Sequence, residues 1–263
     1  MPTSAADRAI DHALLSDAVR AAGAIAKRYF RSDQKVWEKQ PGHPVGEADI
    51  AVNEWLQKQL SGARPDYGWL SEESADGPAR LSARRVWVVD PIDGTRSFLK
   101  GCTEFAIAAA LIEQGRPSAA VVFNPATDEF FEAVRGQGAR LNGNAISVSA
   151  TTRLEDARLV SSRTEMERKT WADRFKGNPI TPISSIAYKL ALVAAGRFDA
   201  LISLWGKHEW DLAAGDLLVS EAGGHVTTAE GEALAYNREN SRLPSCVASN
   251  GRLHDALMAA LEP

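Results

Sequence analysis

The amino-acid sequence predicts a layered α/β fold of the α+β kind, with sheets and helices stacked on one another rather than strung into a regular βαβ series. Three observations predict it. Helical periodicity dominates roughly the first 60 residues, short apolar runs broken by Gly and Pro turns follow, and a mixture of both closes the chain.

The first helix starts at a Ser4 cap and carries a stripe of Ile10, Leu14, Leu15, Ala18, Val19, Ala22, Ile25 and Tyr29 at helical spacing. Lys39-Gln40-Pro41-Gly42-His43-Pro44 reads as a turn-rich connection. A second helix follows Asp49 and buries Ile50, Val52, Trp55, Leu56 and Leu60. Strands are expected at 67–70, 86–89, 105–112, 119–123 and 129–134, with Gly136, Gly138 and Gly143 at tight turns. Helices return over 183–195, ended by Gly196, over 211–222, closed by Gly223-Gly224, and over 253–261. A boundary near 150–154 divides the chain in two. An N-terminal α+β half, 1–150, holds most candidate metal ligands, and a C-terminal α/β half, 151–263, holds Asp211 and the candidate substrate-pocket residues.

Composition narrows the function. The 263 residues are 44% hydrophobic, ample for a core, and the net charge of −4 excludes a general binder of nucleic-acid polymers. The basic clusters, such as Arg84-Arg85, are too short for a nucleic-acid arm. Cys102 and Cys246 lack zinc spacing, so neither a disulfide scaffold nor a zinc site is expected, and Cys102 reads as a small buried residue rather than a nucleophile. The N-terminal segment lacks the apolar stretch of a signal peptide, and the apolar run 106–112 is too short to cross a membrane. A cytoplasmic protein without a membrane partner is the expectation.

The chemistry begins where expected strands stop. Val86-Trp87-Val88-Val89 runs into Asp90-Pro91-Ile92-Asp93-Gly94-Thr95. Pro91 fixes one backbone angle and Gly94 permits close approach of the chain to a ligand, so the turn can aim two carboxylates at one point. Hard divalent cations want oxygen ligands, and magnesium keeps phosphate oxygens and waters in its shell. Taken alone, Asp, Pro and Gly are ordinary turn residues. Glu72-Glu73 closes the preceding strand, Asp211 opens a helix after Trp210, and Asp49 precedes another; the last two also read as simple helix caps.

Four ordered motifs resemble those of the inositol monophosphatase superfamily. They are Pro44-Val45-Gly46-Glu47-Ala48-Asp49, Ser71-Glu72-Glu73-Ser74, Trp87 through Thr95, and Trp210-Asp211-Leu212-Ala213-Ala214-Gly215 with Glu221-Ala222-Gly223-Gly224. Their order and separations agree over nearly the whole chain. The resemblance implies the layered αβαβα sandwich of the inositol monophosphatase and fructose-1,6-bisphosphatase type, and magnesium-dependent hydrolysis of a small phosphate ester. It implies a first metal on Glu72, Asp90 and the Ile92 carbonyl, and a second on Asp90, Asp93 and Asp211. A third, weaker ion leans on Glu72. Asp49, Glu72 and Thr95 carry the catalytic steps, Asp49 and Thr95 orienting and deprotonating the attacking water, while the amides of Gly94 and Thr95 grip the phosphate. Lithium sensitivity and a homodimer belong to the same expectation. One position departs: Gly46 stands where the family often has Thr, which bears on the support of Asp49.

The ester is less defined. Inositol monophosphatases use an acid upstream of the Trp-Asp motif for substrate hydroxyls, and 200–208 contains no Asp or Glu. Ser161-Ser162-Arg163 and Ser184-Ser185-Ile186-Ala187-Tyr188-Lys189 resemble the bacterial 3′(2′),5′-bisphosphate nucleotidase branch, whose second phosphate Arg163 or Lys189 can receive and to which Ser184 and Ser185 can present amides. Arg163 and Lys189 also read as solvent-facing charges. The leading expectation is therefore a nucleotide bisphosphate converted to AMP and phosphate. Inositol 1-phosphate and histidinol phosphate are alternatives, the latter because Arg96 follows the acidic turn. A regulatory protein on the same fold is the non-enzymatic alternative. Trp69, Trp87 and Trp171 read as packing residues, and Trp205 and His208 as pocket residues, His208 also as a general acid.

Overall fold

The computed structural model describes residues 5–167 and 171–262; Ser4, the expected cap, lies outside the described residues. Two main sheets carry the architecture. In the seven-stranded sheet, Gly68–Ser71 runs parallel to Arg85–Asp93. From there Ala106–Glu113, Arg116–Asn124, Glu129–Val134, Ala139–Leu141 and Asn144–Ile146 follow as an antiparallel meander. The five-stranded sheet has the order Ile180–Pro182, Leu159–Ser161, Ala200–Ser203, Cys246–Ser249, His225–Thr227.

Alternation along one strand shows how the layers form. Trp87 and Val89 face the helices Ala5–Tyr29 and Glu47–Ala63, packing with Leu15, Val19, Val52 and Leu56. Val86 and Val88 face the other way, toward Leu190 of helix Ile186–Ala194 and Leu212 and Leu218 of helix Glu209–Glu221. Buried on both faces, the strand needs apolar residues at successive positions, which is how it reads. The five-stranded sheet covers the far side of those two helices through Leu201 and Ala248. Its own outer face packs Leu159, Ile202 and Val247 on Leu257 of helix His254–Leu261, with Trp171 and Phe175. The result is the five-layered αβαβα sandwich. Trp87 and Trp171 are core residues, and Trp69 packs half-buried against the first core.

Three local expectations change. The connection at 39–44 is a β-hairpin, Val36–Gln40 with His43–Gly46, turning on Gly42 at φ 77°. Cys102 is exposed rather than buried, because the short helix Thr95–Leu99 ends there in a surface turn in which the Cys102 amide donates to the Ser97 carbonyl. The helix 186–194 starts three residues later than its apolar pattern, since Ile183 still belongs to the connection whose amide bonds the Ser161 carbonyl. Among the described residues, no helix is long and apolar enough to cross a membrane.

Candidate active site

The site is built where strand Arg85–Asp93 slips against its neighbour. Asp90 lies opposite Ala108 but Asp93 opposite Ala106, so three steps on one strand match two on the other. In a regular strand, residues three apart point to opposite faces. The bulge returns Asp93 to the face of Asp90 and turns Ile92 into the opposite core. The Ile92 amide donates to Asp90 Oδ1 at 3.0 Å, and its carbonyl accepts from Thr95 Oγ1 at 3.0 Å. Gly94, at φ 96°, closes the turn; a Cβ there would lie 2.8 Å from the Glu104 carbonyl oxygen, so both angle and space require glycine.

Two helix N-termini deliver the other carboxylates by the same device. Asp49 and Asp211 are each the third residue of a helix, and each reaches back to the amide before it. Asp49 Oδ2 accepts from Gly46 at 2.9 Å, and Asp211 Oδ2 from His208 at 2.7 Å. Both helices therefore start ahead of the aspartates, not at them, because a carboxylate one turn in satisfies an otherwise unpaired amide and favours the helix dipole.

Their surroundings then separate them. Asp211 turns toward the bulge, and one carboxylate oxygen from each of Asp90, Asp93 and Asp211 lies within 4.8 Å of the others. Asp49 lies behind the turn, where Thr95 Oγ1 donates to its Oδ1 at 3.0 Å. Glu72 follows strand Gly68–Ser71, and its amide bonds the Val89 carbonyl. Lys39, on the hairpin, reaches Glu72 at 3.2 Å and also pairs with Glu73.

The electrostatics are those of crowded acids. Burial, then the charges of Glu72, Asp93 and Asp211, hold Asp90 well above the ordinary carboxylate range. Burial, with Asp93 and Glu72, pushes Asp211 up to about 8. Asp93 is raised by burial against the pull of its hydrogen bonds. Asp49 is pushed up to about 7, by burial and secondarily by Glu73 and Glu72. Burial works against the Lys39 ammonium, but Glu72 and Glu73 outweigh it and hold Lys39 above its ordinary range.

The support of Asp49 comes from an unexpected place. Gly46, the residue before the helix, has no side chain to cap it. Gln34 does so instead: its Oε1 accepts from the Ala48 amide at 3.1 Å and sits 2.6 Å from where a Cβ on residue 46 would be. Where the resemblance led to a Thr being expected, a glutamine twelve residues upstream supplies the cap, a partner no local pattern reveals.

A cavity of about 480 Å³ opens above the cluster and is lined by Glu72, Asp90, Ile92, Asp93, Gly94, Thr95 and Asp211. Arg163, Ser184, Lys189 and Trp205 also line it, together with Arg96, Ser162, Glu165 and Lys207. Three expected site residues do not line it. Asp49 is buried behind the turn, where it accepts from Thr95 Oγ1. Ser185 gives its hydroxyl to Asp93 Oδ2 at 2.6 Å, and the Ala187 amide bonds the same oxygen at 2.6 Å. The anion at this helix start is therefore Asp93 itself. His208 stacks on Trp210, centroids 4.4 Å apart, with Nδ1 3.1 Å from Ser241 Oγ.

Lys189 corrects a further expectation. It does not face solvent: it is 1% exposed, donates from Nζ to the Ile183 carbonyl at 3.0 Å, and is lowered to about 8 by burial. Arg163 is exposed, as read from the sequence. Lys39, Gln34, Glu165 and Lys207 were not singled out as site residues. Of these only Glu165 carried a signal, two residues beyond the Ser161-Ser162-Arg163 motif.

The donor set fits magnesium: three clustered carboxylates, an acidic neighbour in Glu72, and only oxygen atoms. Burial and mutual repulsion keep the three aspartates raised, Asp93 despite the pull of Lys189. A layered sandwich with such a cluster at a strand bulge offers a divalent cation and a phosphate group one common seat.

The chain belongs to the inositol monophosphatase family, whose model matches residues 10–263. It is 40% identical over 230 residues to an inositol-1-monophosphatase of Rhizobium meliloti (strain 1021), covering 83% of this chain and 85% of the relative. It is 34% identical to the Nus factor SuhB of Xylella fastidiosa, covering 94% and 93%. The solved structure of the extragenic suppressor protein suhB from Bartonella henselae superposes with a TM-score of 0.85 at 33% identity, covering 95% of this chain and 97% of that one.

Proposed function

We propose that the protein hydrolyses the phosphate monoester of a small polyol, of the inositol 1-phosphate type, with magnesium as cofactor. The observation that carries the reading is the convergence of Asp90, Asp93 and Asp211 oxygens within 4.8 Å beneath a cavity lined by the Gly94-Thr95 turn. Glu72, Asp90, Asp93, Asp211 and the Ile92 carbonyl would hold two ions, with a third on Glu72. Bound magnesium neutralises the phosphate, lowers the pKa of water and stabilises the leaving oxygen.

The chain's own groups do the rest. The first amides of helix Thr95–Leu99 have no carbonyl partner within the helix, so Gly94 and Thr95 can donate to a phosphate oxygen. Thr95 Oγ1 holds the attacking water and passes its proton to Asp49, whose raised pKa suits it to receive one near neutral pH. Because the Thr95 hydroxyl has a single proton and two acceptors, Asp49 and the Ile92 carbonyl, it can switch between them as the proton moves. Lithium inhibition, a homodimeric assembly and a cytoplasmic setting complete the reading.

The bisphosphate nucleotide remains a second reading because Arg96, Arg163 and Lys207 line the cavity and suit a second phosphate. Against it, Ser185 is occupied by Asp93 and Lys189 by Ile183. A phosphate-release assay with magnesium separates the two, comparing inositol 1-phosphate, 3′-phosphoadenosine 5′-phosphate, histidinol phosphate and fructose 1,6-bisphosphate. The polyol reading requires inositol 1-phosphate to exceed the nucleotide by at least about tenfold in kcat/KM, ~1.4 kcal/mol in the transition state. The reverse order would replace it with the nucleotide.

A further inference from the structure

Glu165 lines the cavity that the carboxylate cluster also lines, and belongs to the short helix Arg163–Glu167. It is 2% exposed. One oxygen is firmly held: Oε1 accepts from Ser203 Oγ at 2.8 Å and from the Trp205 amide at 3.2 Å. The other, Oε2, is buried with no hydrogen-bond partner among the described residues. The Lys189 ammonium feels the charge of Glu165, but its hydrogen bond goes to the Ile183 carbonyl.

A buried carboxylate oxygen without a donor is costly, and the groups that bind it gain what its burial has lost. Oε1 being anchored from two sides, the carboxylate cannot rotate freely to satisfy Oε2 elsewhere. Glu165 lines the same cavity as Asp90 and Asp93, so a ligand seated with its phosphate over the cluster shares that space with it.

We infer that Glu165 selects the leaving group, accepting through Oε2 a hydrogen bond from a hydroxyl or amine of the substrate. The inference rests on the phosphatase reading above and narrows it. Substrates are phosphate monoesters whose leaving group carries an O–H or N–H donor; an ester presenting a second phosphate at this point meets a fixed carboxylate and is disfavoured. Glu165 thereby does from a different element what an acid between 200 and 208 would have done, since that segment has none. Trp205, from the acid-free segment, instead provides the amide that holds Glu165.

Glu165→Gln tests this cleanly. Its carbonyl can keep the bonds to Ser203 and Trp205, while the amide nitrogen turns the free acceptor into a donor. Wild type and variant are compared on inositol 1-phosphate, whose leaving group is rich in donors, on phenyl phosphate, which has none, and on 3′-phosphoadenosine 5′-phosphate. The thermal midpoint is measured alongside, and Glu165→Ser serves as a second variant if the first does not fold. The expected result is a tenfold or greater rise in KM for inositol 1-phosphate with kcat little changed, less than threefold change for phenyl phosphate, and a relative gain for the nucleotide. Equal losses on all three esters, or none, overturn the role of Glu165 and leave the phosphatase reading standing. No phosphate release from any ester by the wild-type protein with magnesium overturns both.

Discussion

The two walls of the cavity are built differently. The carboxylate wall stands on regular elements: a bulged central strand supplies Asp90 and Asp93, one helix first turn supplies Asp211, and a second holds Asp49 behind Thr95. Each of these carboxylates has at least one backbone or side-chain donor tying it in place. The rest of the lining comes from a five-residue helix, the Ser184 connection, Ile186 and Lys189 of helix Ile186–Ala194, and the segment that joins Trp205 to the two-residue strand Lys207–His208. Its cation Arg163 and the large ring of Trp205, 44% exposed, hang on little regular structure. The difference suits the proposed division of labour: chemistry needs close positioning, which the sandwich supplies, and recognition of a leaving group can be carried by shorter, less regular segments.

If that division holds, the deepest loss follows from breaking the carboxylate wall. Asp211→Asn is expected to lower kcat on the order of a thousandfold, as removal of a group that holds transition-state charge does. Phosphate release measured at saturating substrate checks it, and a loss of tenfold or less would place the chemistry elsewhere.

A second consequence concerns magnesium and pH. Asp211 is raised to about 8 in the folded protein, above its unfolded value. It therefore retains a proton through a range in which the unfolded chain has released it. The metal-free fold is most favoured below about pH 4 with respect to this group and loses that contribution as pH climbs toward 8. Magnesium binds the ionised form, so its stabilising effect should grow in the same direction. Thermal melts with and without magnesium should show a Tm gain of about 5–10 °C near pH 8.5 and a clearly smaller one near pH 5.5. A gain independent of pH would disconnect the cluster from the ion.

The helix cap behind Asp49 gives a finer test. Gln34→Ala removes the acceptor of the Ala48 amide and should cost about 1 kcal/mol. Gly46→Thr alone should also destabilise, because its Cβ would fall 2.6 Å from Gln34 Oε1. In the double variant Gln34 no longer fills the space, only Leu99 Cδ2 stays close at 3.3 Å, and the introduced threonine can cap its own helix, so stability and kcat should both recover. Simple addition of the two losses in denaturant titrations would show that the residues do not share the site. The smallest effect is expected on the rest of the lining. Arg163→Ala, an exposed charge, should change kcat/KM for a simple monophosphate ester by less than about threefold.

Much of the carboxylate wall was legible because local chemistry wrote it. A strand running into Asp90-Pro91-Ile92-Asp93-Gly94-Thr95 can hardly avoid a polar turn, and acids at two helix starts report their own capping. What stayed hidden depended on distance. The bulge that turns Asp93 to the side of Asp90 arises from pairing with Ala106 and Ala108, not from the turn itself. Ser185 read as an anion-binding helix start, which it is, but its anion is Asp93, 92 residues away in the chain. Lys189 carried the sign of a surface charge and lies in the core instead, because its ammonium finds the Ile183 carbonyl and the field of Asp93. Gln34 and Glu165 act only through partners that folding brings to them.

The account turns on one dependence: the Asp90, Asp93 and Asp211 cluster drives phosphate release only with a divalent ion bound. Phosphate release from inositol 1-phosphate, titrated with magnesium from a chelator-treated protein, measures it directly. The account predicts no turnover without the ion, a saturable rise as magnesium is added, and loss of that rise in Asp93→Asn. Full turnover in excess chelator would contradict it.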